Sequence, residues 1–160
     1  MQGGIMKGDA TVISTLNALL ADELTAINQY FVQSEMCENW GYERLHKEIR
    51  KQAIDEMKHA EKLMERMLFL EGSPTVSKLN KINIGSNVEA ILNNNHNAEL
   101  DAIQSYNNAI AACVKAADNG TRELLKSILT DEEGHIDWLE VQLDQIKQVG
   151  IQMYLAEQMH

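Results

Sequence analysis

Apolar residues recur at Val12, Leu16, Leu20, Ile27 and Phe31, on one face of a helix, which predicts a first helix from about Asp9 to Asn39. Gly41 breaks it. A second stripe, Leu45, Ile49, Ala53, Ala60, Leu63, Met67 and Leu70, runs until Gly72 and Pro74 end it. Ser86-Asn87-Val88-Glu89 has the form of a capping box, in which a serine and a glutamate three residues on satisfy each other's free backbone amides. It opens a third helix carrying Val88, Leu92, Ala102, Tyr106, Ala109 and Cys113 inward and ending near Asn119-Gly120. Thr121 is the predicted N-cap of a fourth helix with Leu125, Ile128, Leu139, Leu143 and Ile146, closed by Gly150. Gln152 to Met159, with Met153, Leu155 and Met159, reads as a short fifth helix.

The turns joining the first to the second helix and the third to the fourth are short, whereas Gly72 to Ser86 is far longer than a hairpin needs. Fifteen extended residues reach roughly 50 Å, and a helix of thirty is about 45 Å long. The segment can therefore cross the whole bundle. Two short turns and one long crossover are the connectivity of ferritin-like four-helix bundles, so that all-α fold with a short C-terminal fifth helix is expected; the pattern alone leaves an unrelated four-helix bundle open, and the motifs decide between them. The expected organisation is a single domain over 1–160, with 1–8 extended or disordered.

Each helix places a glutamate within its apolar stripe: Glu23, Glu56, Glu99 and Glu132. Buried carboxylates are costly unless paired or metal-bound. The second and fourth helices add a histidine one turn on, in Glu56-Met57-Lys58-His59 and Glu132-Glu133-Gly134-His135, so glutamate and histidine share a face. Glu23 to Glu56 is 33 residues, as is Glu99 to Glu132, and a shift of 76 carries Glu23, Glu56 and His59 onto Glu99, Glu132 and His135. Tyr30 maps to Tyr106 under the same shift. All six lie near the middles of their helices and meet at one depth. Four carboxylates and two neutral imidazoles suit a pair of divalent ions in charge and donor type. A mononuclear zinc hydrolase is disfavoured, since His-Glu-x-x-His is absent. Glu43-Arg44-Leu45-His46 repeats the short motif without its twin, Asn119 standing at the shifted position, and is expected on the surface.

Composition sharpens this picture. Of 160 residues, 14 are Lys or Arg and 24 are Asp or Glu, a net charge of −10 that makes nucleic acid and anionic membranes unfavourable partners. No uninterrupted apolar run of span length and no leader-like start are evident, so a cytoplasmic protein is expected. Cys37 and Cys113, each 14 residues beyond its glutamate on antiparallel helices, are expected at opposite ends of the bundle and cannot pair. His96, in the run Asn93 to Asn97, is expected to cap or tune the start of the third helix.

The chain resembles bacterioferritin. Asn28-Gln29-Tyr30-Phe31, Ile54-Asp55-Glu56-Met57-Lys58-His59-Ala60, Phe69-Leu70-Glu71-Gly72 and Asp131-Glu132-Glu133-Gly134-His135-Ile136-Asp137-Trp138-Leu139-Glu140 carry the resemblance, over essentially everything after Ile5. Met6-Lys7-Gly8-Asp9 resembles that family's usual start, which leaves Met1 to Ile5 ahead of it. The resemblance implies a 24-subunit homo-oligomeric shell, built from dimers, that oxidises Fe(II) with O2 or H2O2 at an intrasubunit di-iron site and stores ferric mineral. Glu23, Glu56 and His59 would then serve one iron, and Glu99 and His135 complete the second, with Glu56 and Glu132 bridging. Tyr30 and Trp138 would be electron donors. Met57, turned about 100° from the ligand face toward Ile54, Met64 and Leu68, would be an axial ligand of a haem shared by two subunits. A bacterioferritin-associated ferredoxin would be a partner in iron release.

One position departs from that pattern: Lys51 stands where members with an extra iron on the inner surface have a histidine, and a cation there would repel Fe(II). The competing readings are a rubrerythrin-like di-iron peroxidase, which needs a four-cysteine module that two cysteines cannot supply, and a non-enzymatic haem or structural bundle.

Overall fold

Asp9, in extended backbone, accepts from the amides of Thr11 and Val12 and starts α1 (Ala10–Asn39). α2 (Glu43–Phe69), α3 (Val88–Lys115), α4 (Asn119–Val149) and the short α5 (Ile151–Glu157) follow. The computed structural model describes residues 7–160. Residues 1–6 of the expected extended lead, the Met1 to Ile5 stretch with them, lie outside the described span. Residues 7 and 8 are tied down: Gly8 N donates to the Leu70 carbonyl at 3.0 Å, and the Lys7 ammonium sits 3.6 Å from the centre of the Phe69 ring.

Three helix ends share one device. The second residue past each helix is left-handed, Gly41 (φ 87°), Glu71 (φ 63°) and Ala117 (φ 55°). The next amide then reaches back to a carbonyl: Tyr42 to Cys37, Gly72 to Met67 and Asp118 to Cys113, at 2.8 to 2.9 Å. Two expected boundaries therefore move. α2 ends at Phe69 and its left-handed turn falls on Glu71 rather than on Gly72, which serves close packing: a Cβ there would lie 2.7 Å from Ile13 Cγ2. α3 ends at Lys115 with its left-handed turn on Ala117, not near Asn119-Gly120.

Two caps also differ from expectation. Asn87, not Ser86, caps α3, accepting from Ala90 N at 2.8 Å. Asp118, not Thr121, caps α4. Its carboxylate accepts from Thr121 N at 3.0 Å and from the Thr121 hydroxyl at 2.6 Å, and it pairs with Arg66 of α2 at 3.3 Å. Burial opposes its charge, yet Thr121 and Arg66 hold its carboxyl below the usual range. Asp118→Ala is expected to cost about 1 kcal/mol, or about 3 °C in melting temperature for a chain of this size. Because the native carboxyl is the stronger acid, this contribution is complete above the unfolded value of about 4 and fades as pH falls through the native one. Melting curves from pH 7 to 3 check it: the gap between wild type and variant should close at the acid end.

Residues 70–87 run along α1 in the direction of its chain. Thr75 N donates to Asn17, Asn80 N to Thr25, Asn83 N to Gln29, and the Gln33 amide to the Ile84 carbonyl, at 2.8 to 3.1 Å. The crossover thus traverses the bundle, and α3 starts beside the C-terminal end of α1. α3 is accordingly antiparallel to α1, with Gln29 on Asn95 and Tyr30 on Glu99. By length and composition α1 would pass as a membrane span. Its apolar face is taken up in the core, and buried Glu23, Gln29 and Gln33 interrupt it.

The core is divided in two. One cluster holds Val12 to Leu20, Ala60 to Leu70, Tyr106 to Cys113 and Leu125 to Ile128. The other holds Tyr30 to Cys37, Leu45 to Ala53, Val88 to Leu92, Leu139, Ile146 and Tyr154 of α5. On every long helix the mid-length glutamate falls between the two. Cys37 and Cys113, both free and buried, lie in different clusters.

Candidate metal centre

The gap between the clusters is filled by ionisable side chains. Glu23 comes from α1, Glu56 and His59 from α2, Glu99 from α3, and Glu132 and His135 from α4, and none is more than 7% exposed. They form two sets, Glu23/Glu56/His59/Glu132 and Glu56/Glu99/Glu132/His135, each offering donor atoms all within 4.8 Å of one another. Glu56 and Glu132 belong to both sets, the position of bridging ligands.

The donor atoms face one another without adequate partners. Each of the six residues has a buried side-chain oxygen or nitrogen with no hydrogen bond: Glu23 Oε2, Glu56 Oε1, His59 Nδ1, Glu99 Oε2, both oxygens of Glu132, and His135 Nδ1. Such atoms are rare in native interiors, and here all of them are oxygens or nitrogens that can bind a cation. His59 Nδ1 lies 2.9 Å from Glu132 and His135 Nδ1 3.1 Å from Glu56, off the line that a hydrogen bond requires. Carboxylates and imidazoles with free lone pairs converging from four helices fit two divalent cations.

Surrounding residues fix these donors in place. Asp131 accepts from His59 Nε2 at 2.9 Å, and Asp55 from His135 Nε2 at 3.0 Å. An ionised carboxylate only accepts, which assigns the Nε2 proton and leaves Nδ1 for metal in the neutral ring. The Tyr30 hydroxyl donates to Glu99 at 2.6 Å and the Tyr106 hydroxyl to Glu23 at 2.5 Å. Burial, with the facing glutamate in each case, raises both phenols well above their ordinary range, so both stay donors.

Without metal, protons neutralise the layer. Burial and the neighbouring carboxylates raise Glu56 and Glu99 well above the usual range. Glu132 is held well below it, against its burial, by Glu99 and by the two histidines on either side. Burial disfavours charge on the rings, but Glu132 and Glu23 push His59 up to about 10, and Glu132 and Glu99 push His135 up to about 11.

The six expected ligands meet in one place and Tyr30 joins them. Three residues with clear positions here escaped the sequence reading. Tyr106 appears there as an inward residue and as the image of Tyr30, without a part at the site, and Asp55 and Asp131 have no assigned part. The shift of 76 that relates the ligands also relates Asp55 to Asp131, which was the available signal. Met57 lies outside the cluster, 47% exposed on α2. Trp138 lines a cavity with the ligand His135 and with Asp55 and Asp131, and no carboxylate of the six ligands lines it. His46 is not a surface residue: its ring is only 12% exposed, with Nδ1 2.9 Å from the Ser34 carbonyl and Nε2 3.5 Å from Glu38. His96 caps nothing and faces Glu140 of α4 at 3.2 Å.

A ferritin-like domain model matches residues 13–149. A bacterioferritin from Brucella melitensis is 42% identical over 93% of this chain and 92% of its own. This chain belongs to the bacterioferritin family. The bacterioferritin of Rhodobacter capsulatus is likewise 42% identical, over 92% of this chain and 91% of its own. A bacterial ferritin of Synechocystis is 41% identical over 96% and 99%. The similarity to bacterioferritins thus spans all four long helices and the crossover.

Proposed function

We propose that this member of the bacterioferritin family stores iron, and that it loads the store by oxidising Fe(II) at Glu23, Glu56, His59, Glu99, Glu132 and His135. The observation that carries the reading is the convergence of buried, unpartnered donor atoms from all six residues at one level of the bundle. Two Fe(II) ions are the substrate. Each gives up one electron, and the pair reduces O2 with two protons to H2O2, or H2O2 with two protons to water. Four carboxylates favour the ferric product as hard donors. Asp55 and Asp131 hold the imidazoles in place, and Tyr30 and Tyr106 hold Glu99 and Glu23. Tyr30, in contact with a ligand, is also the proposed electron donor.

The same proposal includes a homo-oligomeric shell of 24 subunits built from dimers, located in the cytoplasm, with a ferredoxin partner for iron release. Met57 would ligate a b-type or related haem together with a partner's methionine. Its exposure, with that of Leu68, 64% exposed about three turns further along the same face of α2, supports an apolar contact there. Bound haem would supply a one-electron carrier. Anaerobic titration is expected to saturate near two Fe(II) per subunit, followed by rapid oxidation on admitting O2. Size-exclusion chromatography with in-line visible absorbance should give a particle near 24 subunits carrying a Soret band. A dimer with no visible absorption would refute shell and haem together.

A further inference from the structure

The halves of the metal centre are nearly superimposable in chemistry. In one, Asp131 holds His59 at 2.9 Å and Tyr106 holds Glu23 at 2.5 Å. In the other, Asp55 holds His135 at 3.0 Å and Tyr30 holds Glu99 at 2.6 Å. Each residue of the first set is related to its counterpart by the shift of 76. The match fails at one charge. Asp55 Oδ2, the oxygen that accepts from His135, is also 3.7 Å from the Lys51 ammonium. The residue at the equivalent place beside Asp131 is Ser127, whose hydroxyl turns back to the Leu124 carbonyl of its own helix at 2.7 Å. Among the described residues, His59 is the one ion-pair partner of Asp131.

Lys51, Asp55 and His135 line a common cavity of about 410 Å³ on the α2–α4 side of the bundle. A carboxylate behind a ligating imidazole raises its basicity and so its hold on the metal. Sharing that carboxylate oxygen with an ammonium weakens this support, and the fixed cation also repels a divalent ion arriving at His135. The first effect acts on the Glu99/His135 half alone, and the second is stronger there: Asp131 lines the same cavity, but its ion pair is with His59 and not with Lys51.

We propose that Lys51 makes the two halves unequal, so that a divalent cation fills the Glu23/His59 half first and the Glu99/His135 half second and more weakly. Lys51 is a positioning residue, acting through Asp55 on His135. The inference rests on the reading of these six residues as a two-metal centre. Lys51 is 67% exposed, so its influence is that of a solvent-screened charge, about two- to fivefold in affinity.

The test uses the full-length protein under anaerobic conditions, with Co(II) alone as the probe and its visible absorption as readout. His59→Ala leaves the half with Lys51 behind it, and His135→Ala leaves the other. Lys51→Met is expected to tighten Co(II) about two- to fivefold in the His59→Ala background and by clearly less in the His135→Ala background. In the otherwise unaltered protein it should narrow the separation of the two binding steps by the same factor by strengthening the weaker one. Lys51→Arg, which keeps the charge, should behave as wild type. Equal tightening in both backgrounds, or none in either and no narrowing, would overturn the inference while two ions still bind. Failure of the unaltered protein to bind Co(II) would overturn the metal centre itself.

Discussion

Replacing Glu56 with alanine is expected to cut metal binding from two ions per subunit to one at most and to slow Fe(II) oxidation by more than about 100-fold. Glu56 contributes a donor to both four-residue sets, so its loss degrades both subsites rather than emptying one. Removing one member of a buried, mutually dependent charge set costs roughly 3–5 kcal/mol, and each 1.36 kcal/mol is a factor of ten in rate when it falls on the transition state. His59 and His135, 3.7 and 3.1 Å from its carboxylate, would keep their other partners, so the fold should survive. Glu43→Ala, in the other Glu-x-x-His sequence, is the control and should change neither quantity. Isothermal titration with Co(II) and stopped-flow oxidation of Fe(II) provide the two measurements. An Glu56→Ala protein that still takes up two ions and oxidises iron at the wild-type rate would remove the basis of the assignment.

The second large effect is thermal. In the metal-free molecule a layer of four carboxylates and two imidazoles separates two apolar clusters and is neutralised only by shared protons. Charge crowding of this kind stores destabilisation that a bound cation relieves. At a hundredfold excess over its dissociation constant each ion adds about 2.7 kcal/mol. With about 2–4 °C per kcal/mol for a chain of this length, two ions should raise the melting temperature by roughly 10–20 °C. Glu99→Gln, close in shape but uncharged, is expected to melt higher than wild type without metal and to lose about half of the metal-induced rise. Calorimetry at one scan rate, with Co(II) against chelator, reads both. Coincident melting of the loaded and stripped wild-type protein would show that the layer is a self-sufficient polar network.

The helices and the six ligands were legible because each obeys a period that the backbone imposes. Leu16, Leu20, Leu63 and Leu92 repeat on a helical face, and the ligands repeat at 33 and 76 residues along the chain. Helix ends were less legible, since Glu71 and Ala117 occupy a left-handed conformation that composition assigns to glycine. Cooperation with a neighbouring helix decided the rest. Asp118 prevailed over Thr121 as a cap because Arg66 of α2 and the Thr121 hydroxyl both converge on its carboxylate. Asp55 and Asp131 were given no part because nothing local shows that each faces a histidine of the opposite helix, 80 and 72 residues away in sequence. His46 was misplaced for the same reason, its carbonyl partner lying on α1. The polar residues Thr25, Gln29 and Gln33 blurred the stripe of α1 because they serve the crossover, which a one-dimensional pattern does not contain.

That last arrangement sets up a one-directional dependence. The crossover strand draws its backbone partners from side chains of α1, at Asn17, Thr25, Gln29 and Gln33. The main-chain ladder of α1 asks nothing of the strand in return. The helical hydrogen bonds of the first hairpin are therefore independent of the crossover, whereas the crossover leans on the side chains of α1. The path of the crossover, and with it the placing of α3 and Glu99 opposite Glu23, is written in four polar side chains of the first helix.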